Sequence, residues 1–192
     1  MLRPAGISLL LIALACAAPA QAQVPAAPKA KDAQPAAALP EVMRDLSSLP
    51  EPVRATRERI LAAAKSGDPT KVAEVMKSFD PVPMFSLGGD SDPAAYWKSS
   101  YPDSDGLEAL AILGEVLESP FVLLDKGTAQ EMYVWPYFFG LPLAKLTPEQ
   151  KVELFRLITG SDWKEMQEFG AYIFYRVGIA PNGSWQFFVA GD

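Results

Sequence analysis

The chain has 192 residues, a formal net charge of −6 at pH 7, one cysteine and no histidine. The missing histidine excludes Ser-His-Asp and Cys-His catalysis, together with the usual zinc, copper and haem sites. The acidic balance argues against a nucleic-acid partner, because proteins that bind nucleic acids carry a basic footprint.

The first 22 residues have the pattern of an export signal. Arg3 gives a positive start, residues 7–18 form an apolar run, and residues 20–22 (Ala-Gln-Ala) form a small-x-small cleavage site. The apolar run is short for a bilayer-spanning helix, so we expect no transmembrane helix after cleavage. We therefore expect a periplasmic or secreted protein. The alternative is a lipoprotein anchored through Cys16, which follows an incomplete lipobox.

Cleavage after Ala22 also removes Cys16, so the mature chain would have no disulfide and would depend on its core for stability. Residues 23–40 are rich in Ala and Pro and predict a disordered tether. Residues 41–192 then predict a single folded domain.

Helix start signals recur along this domain. Asp68-Pro69 and Asp92-Pro93 each combine an N-cap with proline at the first helical position. Residues 105–108 (Asp-Gly-Leu-Glu) resemble a capping box before a strongly apolar helix, with Asp105 as the cap. Residues 147–150 (Thr-Pro-Glu-Gln) form a second box, and apolar residues continue this helix to Ile158. A last helix is expected to begin at Asp162.

Two β-hairpins are predicted, near Phe121–Trp135 and near Tyr172–Ala190. In the second, Pro181 suits the first central position of a type I turn, and Gly183 suits the left-handed residue that follows. These two residues favour a three-residue loop. This register pairs Ile179 with Trp185, Val177 with Phe187, and Tyr175 with Val189.

The register places apolar side chains on one continuous face of the hairpin, while the other face is amphipathic and is either covered or used for binding. Helices are expected to cover the apolar face. The predicted fold class is therefore α+β, with an antiparallel sheet built around the C-terminal hairpin. The apolar face comprises Ile173, Tyr175, Val177, Ile179, Trp185, Phe187 and Val189.

The amphipathic face carries the first candidate ligand site. Arg176 lies in mid-strand between aromatic residues, where a fixed guanidinium can bind a carboxylate or a phosphate. Phe174 and Phe188 are expected on the same face. In the structural alternative, Arg176 lays its stem on these two rings or pairs with Asp162.

Tyr133 and Trp135 form the second candidate, since alternating aromatic residues can make a platform for sugars or peptide side chains. The alternative places both residues in the core. Asp125 and Glu131 lie nearby and could act as an acid–base pair on a glycan. In the structural alternative, Asp125 is a turn residue that lies close to a glycine in the sequence.

Residues 103–106 (Asp-Ser-Asp-Gly) are the candidate for a metal-binding loop. An EF-hand register would place Tyr101 and Ile112 at the first and twelfth positions, where neither can supply a carboxylate. We therefore expect helix capping here, no metal site and no cofactor.

Three motifs lie in the second half of the chain: YVWPYF at residues 133–138, LTPEQ at 146–150 and FYRVGIAPNGSWQFFVAGD at 174–192. In these motifs the chain resembles a group of exported bacterial proteins of unknown function. The resemblance covers the C-terminal half and implies no activity, cofactor or catalytic residue.

From these observations we expect an exported, non-catalytic protein that binds an envelope protein, another envelope component or a small ligand. No catalytic residue is assigned. The alternative is a carboxylate-dependent hydrolase that acts on cell-wall glycan or peptide.

Overall fold

The computed structural model describes residues 39–191. The predicted signal peptide, residues 23–38 of the predicted tether and Cys16 lie outside the described residues. Within the described range the chain forms six α-helices. They are α1 (Glu51–Lys65), α2 (Pro69–Lys77), α3 (Pro93–Ser100), α4 (Leu107–Glu118), α5 (Pro148–Leu154) and α6 (Gly160–Phe169).

Four strands form one antiparallel sheet in the order β1-β2-β3-β4. Each strand neighbours the next one in sequence, so both predicted hairpins are present and share a sheet. The α+β prediction, with the sheet built around the C-terminal hairpin, is confirmed. The strands are β1 (Val122–Leu124), β2 (Met132–Trp135), β3 (Arg176–Ile179) and β4 (Trp185–Val189).

Backbone contacts from two loop residues cover parts of both sheet edges. Met43 and Phe121, the residue before β1, exchange two N–H···O bonds of 2.8 and 2.9 Å. On the β4 edge, the Met84 N–H donates to the Gln186 carbonyl at 2.9 Å. The Phe188 N–H in turn donates to the Met84 carbonyl at 2.8 Å. These bonds occupy edge groups that would otherwise be available for pairing with another chain.

The loop of the main hairpin has the predicted length of three residues. The Gly183 N–H donates to the Ala180 carbonyl at 2.8 Å, and the Ala180 N–H donates to the Ser184 carbonyl at 2.9 Å. Gly183 has the left-handed φ of 86° that the turn requires. Ile179 pairs with Trp185, as expected.

Beyond that first pair, the predicted register is wrong. Gln186 is an extra residue in β4, and this bulge shifts every later pair by one position. The aromatic neighbours Phe187 and Phe188 can each fill an apolar face, so alternation alone does not determine the register. Phe188 and not Phe187 shares the face of Trp185. The later pairs are Gly178–Phe187, Val177–Phe188 and Arg176–Val189.

The sheet is covered on both faces, whereas the sequence predicted helices over one face only. Helices α1 to α4 cover one face and enclose a core that includes Ile60, Met76, Trp97, Leu113, Trp135, Val177, Trp185 and Phe188. A second, smaller core covers the other face with the turn Tyr137–Gly140, α5 and α6. It includes Val134, Tyr137, Phe138, Leu146, Leu154, Met166 and Tyr172.

Three of the predicted helix caps are confirmed. The carboxylates of Asp68 and Asp92 accept N–H bonds of 2.9 and 3.1 Å in the first turns of α2 and α3. Thr147 and Gln150 form the reciprocal capping box that begins α5.

The predicted cap at Asp105 is wrong. Asp105 has a left-handed φ of 49°, and its carboxylate lies 3.7 Å from the Lys98 Nζ. Gly106 is the N-cap of α4, and the Ser104 Oγ accepts the Glu108 N–H at 3.1 Å. The exposed turn before α4 therefore uses a serine hydroxyl where a carboxylate cap was expected.

Helices α5 and α6 also differ from the predicted bounds. Helix α5 ends at Leu154, and the Leu157 N–H donates to the Leu154 carbonyl at 2.9 Å in a tightened turn. Helix α6 begins at Gly160, two residues before the predicted start. Its N-cap is Thr159, which forms a capping box with Asp162 at the third helical position.

Burial raises the pKa of five tyrosine side chains above the ordinary value of about 10. The folded state therefore holds these phenol protons to a higher pH than the unfolded chain does. Stability from this source is complete below about pH 10 and is lost as the pH rises further. The five are Tyr101, Tyr133, Tyr137, Tyr172 and Tyr175.

We expect these tyrosines to ionise together with alkaline unfolding and not before it. The measurement is phenolate absorbance recorded in parallel with circular dichroism as the pH is raised. Ionisation of most tyrosines near pH 10 with native circular dichroism retained would contradict the burial described above.

Contact between the hairpin loop and α1 can be tested with two glycine substitutions. Gly183 and Gly67 both have a left-handed φ, of 86° and 69°. A Cβ at Gly183 would lie 2.7 Å from the Pro52 carbonyl oxygen, whereas Gly67 faces open space. We expect Gly67→Ala to lower the free energy of unfolding by roughly 1–2 kcal/mol, the cost of a Cβ in the left-handed region.

Gly183→Ala should cost roughly 1–3 kcal/mol more, because overpacking adds to the backbone strain. Chemical denaturation of both variants measures this difference. Equal losses in the two variants would show that the loop does not pack on α1.

Candidate functional site

Arg176, the leading candidate from the sequence, contacts other parts of the fold. Its side chain lies on the face of the smaller core and is 9% exposed. The guanidinium carbon lies 4.7 Å from the centroid of the Phe139 ring, and Nη1 donates to the Gly191 carbonyl. Both contacts stabilise the guanidinium of Arg176. They also link β3 to the aromatic turn Tyr137–Gly140 and to the C-terminal segment.

The five candidate residues do not form one binding surface, because three of them lie inside the larger core. Phe188 and Trp135 are fully buried in the larger core, and Tyr133 is 7% exposed in the same core. Phe174 is half-buried. Because neighbouring residues of a strand point to opposite faces, the pairing of Phe188 with Val177 places it on the face opposite to Arg176.

The two carboxylates of the rival hydrolase hypothesis belong to one turn. Asp125 has a left-handed φ of 50°, and its carbonyl accepts the Thr128 N–H at 3.0 Å and the Thr128 hydroxyl at 2.8 Å. Glu131 Oε2 accepts the Gly127 N–H at 2.5 Å. The turn interpretation of Asp125 is confirmed, and the same turn also engages Glu131.

The part of the chain that the structure describes contains neither a cluster of metal ligands nor a membrane-spanning helix. Between residues 39 and 191, no group of three or more Asp, Glu, Cys or His side chains is placed so that it could hold a metal ion. No helix in this part of the chain combines the length and apolar character that a membrane span requires.

A polar cleft lies where the segment entering the domain, the end of α4 and α5 come together. It has a volume of about 90 Å³. We call it the α4–α5 cleft. Its lining consists of Arg44, Glu115, Glu118, Ser119, Pro120, Phe138, Glu153, Arg156 and Leu157.

Local sequence explains how the walls of the α4–α5 cleft are positioned. Ser119 is the C-cap of α4, and Pro120 leads directly into the sheet. The Met43–Phe121 bridge fixes the entering segment beside that point, so the next residue, Arg44, faces the cleft. The capping box at Thr147 begins α5, which carries Glu153 to the opposite side.

Glu153 is the centre of a hydrogen-bond network in this cleft. Arg44 Nη2 donates to both of its oxygens, at 2.8 and 3.0 Å. The Tyr137 hydroxyl donates to Glu153 Oε2 at 2.8 Å. Burial, together with the hydrogen bond and the charge of Glu153, raises the pKa of Tyr137, so the phenol keeps its proton to a higher pH than an exposed tyrosine does.

The α4 side of the cleft is acidic. Glu115 and Glu118 lie in the last turn of α4, and Glu118 pairs with Lys65 at 2.6 Å. On the buried side of the same helix end, Arg57 donates to the Leu117 carbonyl at 2.8 and 3.0 Å. Burial lowers the pKa of Arg57, although the charge of Glu118 opposes this effect.

No family model, curated protein or solved structure matches this chain. No residue roles can therefore be transferred to the cleft, and its chemistry rests on its own geometry.

The sequence interpretation missed the α4–α5 cleft, although one signal was present. Glu115 and Glu118 stand at the negative end of the α4 dipole, where acidic side chains are unfavourable. Such a local conflict is typical of a functional surface. Arg44 and Glu153 carried no signal, because their contact joins residues 109 positions apart.

The network should contribute to stability mainly through Tyr137. Tyr137→Phe removes a donor to Glu153 and is expected to lower the free energy of unfolding by about 1 kcal/mol. Arg44→Ala should cost less, because the Arg44 side chain is 56% exposed and surface ion pairs contribute roughly 0–1 kcal/mol. Denaturant titration of the two variants provides the comparison, and a larger loss in Arg44→Ala would contradict the geometry.

Proposed function

We propose that this chain is an exported, non-catalytic protein that binds a partner or a component of the cell envelope through the α4–α5 cleft. The export part of the proposal rests on the signal pattern of residues 1–22. The binding part rests on the cleft, a concave surface whose walls carry both acidic and basic side chains.

The observation that carries the proposal is the network at Glu153. Its carboxylate accepts hydrogen bonds from Arg44 and from Tyr137, whose aromatic ring belongs to the smaller core. The charged wall of the cleft is thereby attached to packed structure and is pre-organised. Pre-organisation reduces the entropic cost of binding.

The same network favours binding over acid–base chemistry. Both oxygens of Glu153 accept hydrogen bonds from protein donors, and Glu118 is paired with Lys65. Asp125 and Glu131, the pair considered from the sequence, lie together in an exposed turn. The hydrolase alternative therefore becomes an outcome of the test below.

The test measures co-sedimentation of the purified full chain, after signal removal, with isolated cell walls and separately with envelope membranes. Glu115→Lys reverses a charge in the cleft. Glu108→Lys is the matched control, because it makes the same change on an exposed residue of the same helix, outside the cleft lining.

We expect binding to one fraction to fall at least about tenfold in Glu115→Lys, which is the effect of losing one charge-assisted contact. Glu108→Lys should bind like the wild type, and the bound component should remain intact. Equal binding by both variants would contradict a role for the cleft. Release of soluble wall fragments would instead support the hydrolase.

A further inference from the structure

Two oppositely charged residues in the lining of the α4–α5 cleft lie outside the ion pairs formed by residues 39–191. Among the charged residues that line the cleft, Arg44 forms an ion pair with Glu153, and Glu118 forms an ion pair with Lys65. Glu115 and Arg156 also line the cleft, and neither has an ion-pair partner within 4.0 Å among residues 39–191. The cleft therefore presents one available carboxylate and one available guanidinium.

The positions of Glu115 and Arg156 indicate which ligand group each of them would bind. Glu115 lies in the last turn of α4, where the helix dipole adds negative potential and favours a cation. Arg156 lies just beyond α5, and its guanidinium matches the geometry of a carboxylate. A ligand with an ammonium group and a carboxylate would satisfy both residues at once.

The remaining lining limits the size and polarity of such a ligand. A volume of about 90 Å³ is several times the 10–15 Å³ or so that one water needs, so the cleft itself has room for a small chemical group. Phe138, Pro120 and Leu157 add apolar surface to the lining. A short apolar unit between the two charges of the ligand fits this lining.

We propose that the α4–α5 cleft binds an amino-acid zwitterion, with the ammonium group on Glu115 and the carboxylate on Arg156. This proposal rests on the proposed function, because it names the ligand class of the same cleft. The zwitterion has two sources, a free amino acid or a residue that is attached to a cell-wall peptide through its side chain and so keeps its own amino and carboxyl groups free.

The test uses calorimetry on the full chain after signal removal, with alanine as the probe. N-acetylalanine lacks the ammonium group and alaninamide lacks the carboxylate, so each removes one of the two contacts. We expect alanine to bind at least about tenfold more tightly than either derivative, because each loses a hydrogen bond to a charged group.

Two cleft variants and one control assign the contacts. Glu115→Gln should weaken alanine binding about tenfold without weakening that of N-acetylalanine, which has no ammonium group to lose a contact. Arg156→Gln should weaken alanine binding to a similar extent without weakening that of alaninamide. Glu108→Gln should bind alanine like the wild type, and thermal unfolding of each variant confirms that it is folded.

Two purified wall peptides distinguish the sources of the zwitterion. One carries a residue whose amino and carboxyl groups are both free, and the other lacks it. If the peptide with the zwitterionic residue binds more tightly than alanine does, a wall source is supported. If the two bind equally, the free amino acid is supported. Alanine binding no better than both derivatives overturns the proposal. If Glu115→Lys still abolishes envelope binding in that case, the proposed function survives, whereas unchanged envelope binding overturns both.

Discussion

Gln186 is an extra, bulged residue in the pairing of β3 with β4. This bulge determines which side chains of β4 enter each of the two cores. Trp185 and Phe188 both enter the core under α1 to α4. Phe187 enters the smaller core on the opposite face. Without the bulge, Phe188 would point away from Trp185, since a shift of one residue exchanges the two faces.

Cover on both faces leaves little of the main hairpin exposed. Every residue of β3 is buried, and only Gln186 and Phe187 of β4 are half-buried. The α4–α5 cleft lies at the periphery, where the C-terminal ends of α4 and α5 meet. Tyr137 joins the two regions, because its ring packs in the smaller core while its hydroxyl supports Glu153 in the cleft wall.

Local chemistry explains which features could be predicted from the sequence. The caps at Asp68, Asp92 and Thr147 were predicted correctly because a cap depends on a few neighbouring residues. The hairpin loop was predicted for the same reason. The bulge could not be predicted, because the aromatic neighbours Phe187 and Phe188 suit either face equally well.

The cleft depends on long-range contacts and so left little trace in the sequence. Arg44 meets Glu153 only because the entering segment bridges to the residue before β1. In the same way, Arg176 lies over Phe139 because the aromatic turn folds back across the sheet.

The division of β4 between the two cores is tested most directly by nuclear Overhauser effects in the folded protein. The Phe188 ring should show contacts with Trp97, whose ring centroid lies 5.9 Å away. The Phe187 ring should show contacts with Gly178 and Met132, beside which its tip lies. Contacts from Phe187 to Trp97, with none from Phe188, would show that the bulge is absent and that the two-core arrangement is wrong.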